Sequence, residues 1–106
     1  MADLLNKITE ANAQRAARVA ADINIINENF NRINLDTIDY NADIENLQLA
    51  INANDTVRIT AIMGDIDFLI SNLTTAVNEI IRASVDIVSA TQTFLITVIE
   101  ALITDP

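Results

Sequence analysis

The sequence predicts an all-α chain: a long antiparallel helical hairpin, two helices of near-equal length, packing into a multi-chain helical bundle or filament. Three observations carry this expectation. An apolar repeat with alternating spacings of three and four runs through most of the 106 residues, the signature of helices packed along a seam. The chain holds one Gly and one Pro, and the Pro is residue 106, so few breakers interrupt a helix. The repeat slips by one residue over 52–56, where Asn52, Asn54 and Asp55 bring turn-forming and capping side chains together.

The first helix is expected over about residues 4–52. Asp3 stands where a carboxylate caps a helix and favours its positive end. Residues 11–21 are small and strongly helix-forming, which lets a neighbouring helix approach closely. Residues 22–52 are rich in Ile, Asn and Asp. Asn has middling helix propensity, so this block needs tertiary contacts to hold it. Its apolar repeat reads Ala16, Val19, Ile23, Ile26, Phe30, Ile33, Thr37, Tyr40, Ile44, Leu47, Ile51.

A tight turn is expected at about 52–56, with Asn54 or Asp55 capping a second helix over about 56–104. The alternatives are one unbroken helix with a local phase shift, or a break at Gly64. The near-equal halves favour the hairpin. Folding at residue 53 or 54 sets Phe30 near Ala76, Ile23 near Ala83 and Val19 near Ala90, large opposite small. Residues 1–106 then form a single helical domain.

The second repeat reads Ile59, Ile62, Ile66, Leu69, Leu73, Ala76, Ile80, Ala83, Ile87, Ala90, Phe94, Thr97, Ala101. Beside it runs a polar stripe of Arg58, Asp65, Asn72, Glu79, Asp86, Thr93 and Glu100, which is expected to face water.

Both halves carry more apolar residues than one seam uses. Ile25, Leu35, Ile38, Leu49, Ile70, Ile81 and Val88 lie off it. After Thr93, Phe94, Leu95, Ile96, Ile99, Leu102 and Ile103 point to every side of a helix. A helix apolar all round is buried all round, and a two-helix hairpin does not bury this one. These thirteen residues are the candidate assembly interface.

Composition narrows the function. With 15 acidic and 6 basic residues the net charge is −9, and the cations are scattered. Nucleic acid is therefore excluded as a partner, and anionic membrane surfaces are disfavoured. The chain has no Cys and no His, which removes disulfides, thiolate metal sites and nucleophile–His triads. No Gly-rich phosphate loop is present. Asp36, Asp39 and Asp43 share a helix face, and Asp65 and Asp67 flank Ile66, but no calcium-loop pattern accompanies them. A solvated acidic face is the expected reading, with no metal, cofactor or small-molecule substrate, and no enzymatic activity. Residues 1–14 lack a basic segment followed by an apolar one, so no signal peptide is expected. That leaves a cytoplasmic chain, or one exported by a signal-less route into an extracellular or cell-surface assembly. Residues 87–99 are the longest uncharged stretch, read as too short and too polar for an ordinary transmembrane helix.

The function expected is that of a structural subunit, a homo-oligomer that polymerises through apolar helix faces into a filament, tube or sheet. One alternative is a small soluble adaptor, or a signal-less secreted hairpin effector, that binds a protein partner. Another is a lipid-associated or pore-forming protein that uses its C-terminal helix.

Overall fold

A computed structural model of the chain describes residues 2–104. Met1, Asp105 and Pro106, the ends of the expected 1–106 domain, lie outside the described residues. The chain is an all-α helical hairpin: α1 (Ala2–Asn52, 51 residues) and α2 (Thr56–Thr104, 49 residues) pack against each other. α1 begins at Ala2 where a start at about residue 4 was expected, and α2 passes through Gly64 unbroken.

The hairpin divides into two compact units. The turn unit spans Asn27–Glu79. The open-end unit joins Met1–Ile26 to Ile80–Pro106.

In the turn unit, α1 stops because Asn54 takes a left-handed φ of 52°. The Asn54 N–H then donates to the Ile51 carbonyl at 3.1 Å, and the Asp55 N–H donates to the Ala50 carbonyl at 3.0 Å. This pair of bonds is a Schellman motif, which satisfies carbonyls that a helix end otherwise leaves open. Asn tolerates the left-handed region better than most residues with a Cβ. Asp55 starts α2. Its Oδ1 accepts the Arg58 backbone N–H at 3.1 Å, and its carbonyl accepts the Ile59 N–H at 3.0 Å. Asp55 is therefore the N-cap and Asn54 the reversing residue. In the core of this unit, Ala50 and Ala76 are 0% exposed and Leu69 is buried, flanked by half-buried Ile33, Leu47, Ile62, Ile66 and Leu73.

The open-end unit has the same character. Ala83, Ala90 and Ala101 on α2 and Leu4 on α1 are buried, with Val19, Ile26, Ile80 and Ile87 half-buried beside them. Among the described residues, side chains with no exposure at all are alanines. Small side chains let the helices close together, and they leave a thin core.

The α2 seam is the predicted one: all thirteen of its residues, from Ile59 to Ala101, are buried or half-buried. The α1 seam is not. Ile23, Phe30 and Ile51 are about half exposed, and Ala16 and Thr37 are exposed too. In their place Asp22 and Asn29 are buried, Asp36 and Asp43 are half-buried, and Ala50 is sealed. The inward face of α1 is thus turned by one residue at alternate seam positions, where Asp22, Asn29, Asp36 and Asp43 lie inward, while Val19, Ile26, Ile33 and Leu47 stay half-buried. The expected pairings of Phe30 with Ala76 and Ile23 with Ala83 are corrected accordingly. The same shift is seen on the partner helix: Asn72, Glu79 and Asp86 of the α2 polar stripe are half-buried rather than facing water, and Arg18 of α1 pairs with Asp86 across the seam. Arg58, Asp65, Thr93 and Glu100 of that stripe are exposed, as expected.

Candidate functional site

Two features of the hairpin bear on function: a polar line along the inter-helix seam, and apolar lines on the outer faces.

In the polar line, positions 22, 29, 36 and 43 of α1 and 65, 72, 79 and 86 of α2 both repeat every seven residues. The pairs that interact keep one register. Asp22 faces Asp86 in the open-end unit and Asp43 faces Asp65 in the turn unit, each pair able to hydrogen-bond when one carboxyl carries a proton. The residue numbers of each pair add to 108. The same register sets Asn29 level with Glu79 and Asp36 level with Asn72. One step over, Ile33 comes level with Ala76, Ile26 with Ala83 and Val19 with Ala90, the last as expected.

Asp22 and Asp86 form the best-defined cluster. Arg18 clamps Asp86 with two groups: Nε reaches Oδ2 at 3.0 Å and Nη2 reaches Oδ1 at 2.5 Å. This bidentate pair, with help from the Asp22 hydrogen bond, holds the Asp86 pKa down to about 2. Binding to Asp86 in turn raises that of Arg18. Asp22 is 5% exposed, and its Oδ2 has no donor while both carboxyls are ionised. A proton on Asp22 lets it donate to Asp86. That hydrogen bond, then burial, then repulsion from Asp86 raise the Asp22 pKa above its ordinary 3.8. Asp43 repeats the arrangement without a clamp. Its hydrogen bond with Asp65, then burial, then the charges of Asp65 and Asp39 raise its pKa. Its Oδ2 is likewise buried and without a donor. Among the described residues no group of three or more acidic side chains is arranged to hold a metal ion.

On the outer faces, eleven of the thirteen candidate interface residues are exposed. Ile25 and Phe94 are half-buried instead. The Phe94 ring lies under Arg15, whose guanidinium carbon is 5.8 Å from the ring centroid, within reach of a cation–π contact. The other residues fall into lines. In the open-end unit, Ile81, Val85, Val88, Leu95, Ile99 and Leu102 are each between 52 and 63% exposed. With Gln92 they complete a second run of alternating four and three spacings on α2. Val85 was not among the sequence candidates, although the spacing alone marks it. In the turn unit, Leu35, Ile38, Ala42 and Leu49 make a shorter exposed line on α1. Exposed Met63, Ile70 and Val77 make another on α2, seven residues apart.

Side-chain hydroxyls do little to make these faces polar. Thr60, Thr74, Ser84, Thr91, Thr97 and Thr104 each donate to the carbonyl four residues earlier, at 2.7–3.0 Å. A hydroxyl satisfied by its own helix tolerates an apolar neighbour. By length and composition, α2 is also long and apolar enough to cross a membrane, where residues 87–99 alone were expected to be too short and too polar.

The open-end unit also contains a cleft of about 520 Å³. Ala11, Ala90 and Ala101 leave the space, and Lys7, Arg15, Arg18 and Glu100 rim it.

Comparison with protein-family models, with characterised proteins and with solved structures finds no match to this chain. The functional reading therefore rests on the geometry of the chain itself.

Proposed function

We propose that this chain is a structural, self-assembling subunit that polymerises through its outer helix faces into a filament, tube or sheet. The observation that carries the proposal is the second apolar line on α2, Ile81 to Leu102. It has the spacing of a helix-packing seam and no helix of its own chain against it. The surface area agrees. The chain exposes 7314 Å², whereas a compact monomer of this mass exposes about 5,800 Å². The excess, roughly 1,500 Å², is about twice the ~800 Å² that one partner buries in a standard protein interface. Twenty-one large apolar side chains are exposed among the described residues, and six of them, Ile81, Val85, Val88, Leu95, Ile99 and Leu102, fall in one line rather than singly.

The test uses carboxylates on that line. Val88→Glu with Leu95→Glu is expected to give a chain that keeps its helical circular dichroism and sediments as a monomer. A double variant that still polymerises removes the line from the assembly interface.

A second reading has an observation of its own: the membrane-compatible α2, whose candidate span is only 11% buried. Residues 87–104 carry Glu100 as their sole charge. Self-assembly is preferred because Asp65, Asp67, Glu79, Arg82 and Asp86 punctuate the rest of α2, and α1 carries most of the acidic charge. Flotation with neutral phosphatidylcholine vesicles separates the two. The protein is expected to stay at the bottom of the gradient; co-flotation supports the lipid reading.

A further inference from the structure

Asn54, Asp55 and Thr56 at the hairpin turn spell Asn-X-Thr, with an X that is not Pro. That tripeptide is the acceptor motif for sugar attachment to an Asn carboxamide. The chain contains it once more, at Asn72-Leu73-Thr74. A three-residue motif arises readily by chance, so its structural setting decides whether it can act.

The two settings differ. Asn72 and Thr74 lie inside α2. Side chains two residues apart on a helix do not share a face, so an enzyme cannot grip both at once. Asn72 is half-buried in the polar line, and the Thr74 hydroxyl donates to the Ile70 carbonyl at 2.9 Å. Asn54 and Asp55 instead lie between the helices, after Asn52 and before Thr56. Residues 51–58 are all exposed. Among the described residues, no hydrogen bond engages the Asn54 carboxamide or the Thr56 hydroxyl. The turn is held by backbone bonds and by the Asp55 carboxylate on the Arg58 N–H, so both reactive side chains of the motif are left to solvent.

We infer that Asn54 is an acceptor for an N-linked sugar, delivered from a donor whose anomeric carbon carries a diphosphate leaving group. Transfer joins Asn54 Nδ2 to the anomeric carbon. The bond from that carbon to the diphosphate oxygen breaks, its electron pair leaves with the diphosphate, and one Nδ2 proton passes to a base of the transferase. Thr56 supplies the hydroxyl by which the transferase holds the motif. The site shares no residue with the line from Ile81 to Leu102, so it stands apart from the self-assembly reading.

Two donor sources share this chemistry: a lipid-linked oligosaccharide diphosphate and a nucleotide diphosphate hexose. The purified full-length chain is incubated with each donor and a transferase that uses it, then read by intact mass and peptide mapping. One sugar unit added at Asn54 in either arm is the expected result, and the arm that works identifies the donor. Thr74→Ala should leave the gain unchanged. Asn54→Gln and Thr56→Ala should each abolish it, the second with Asn54 still in its left-handed turn, and Thr56→Ser should keep a reduced gain. Circular dichroism checks that each variant keeps its helices. No mass gain in either arm, or a gain that maps to Asn72 or survives Thr56→Ala, overturns the site.

Discussion

Arg18 on α1 clamps the Asp86 carboxylate on α2 across the helix seam, and Asp22 lies within reach of the same carboxylate once it carries a proton. The two carboxyls are driven in opposite directions, Asp22 up and Asp86 down to about 2. Arg18 chooses which keeps its charge, and Asp22 accepts the proton.

The stability of the hairpin should therefore peak in mildly acidic solution. Asp22 and Asp43 have raised pKa values, so their contribution is present below the ordinary 3.8 and is lost as pH rises through their folded values. Asp86 is depressed, so its contribution is present above 3.8 and is lost as pH falls toward about 2. Thermal melts from pH 7 down to 2 should show Tm rising toward about pH 4 and falling below it. Asp22→Asn, which keeps a donor at all pH values, should raise Tm at pH 7 and flatten the rise. A Tm that falls steadily from pH 7 to 4 contradicts the paired-carboxyl account.

The turn rests on two side chains with separate duties. Asp55→Ala removes the cap on the Arg58 N–H and should cost about 1 kcal/mol. Asn54→Gly keeps the left-handed residue and should be neutral or slightly stabilising. Asn54→Val places a β-branched residue at positive φ and should destabilise by more than the loss of the cap. Urea unfolding of the three variants ranks them.

Ala83 is 0% exposed, at the level of Ile26 on the opposite helix. Ala83→Leu should cost about 1–3 kcal/mol by forcing the helices apart. Ser84→Leu, one residue further on and exposed, should leave the hairpin stable and change only association. Equal effects at the two sites would mean the seam does not run where Ala83 sits.

Gly64 lies inside α2 with no atom within 4 Å of where a Cβ would stand. Gly64→Ala should stabilise α2 by about 1 kcal/mol, the helix-propensity difference. A loss of stability would show that the position is in contact with another copy.

The second helix was legible from sequence because its apolar repeat and its seam are the same residues, Ile59 to Ala101. The turn was legible because Asn54 and Asp55 carry conformational preferences that act locally. The first helix misled because hydrophobicity is a poor guide where polar groups pair across a seam. Ile23 and Phe30 read as core, but Asp22 and Asn29 occupy the inward positions, level with Asp86 and Glu79 of α2. The signal was present as two stripes with one period, 22 to 43 and 65 to 86, which matter only once an antiparallel register is imposed. For the outer surface, Leu35, Ile38, Leu49 and most of the C-terminal candidates are where the pattern put them. Ile25 and Phe94 are half covered, because a helix turned toward its polar residues carries Ile25 with it, and because Arg15 lies over Phe94.

The central claim is that these outer lines join copies of the chain. Electron microscopy of the purified protein at physiological salt, with light scattering on the same sample, tests it most directly. The account predicts regular filaments, tubes or sheets and a scattering mass many times 11.6 kDa. A stable 11.6 kDa monomer at high concentration, with no ordered particles on the grid, would contradict it.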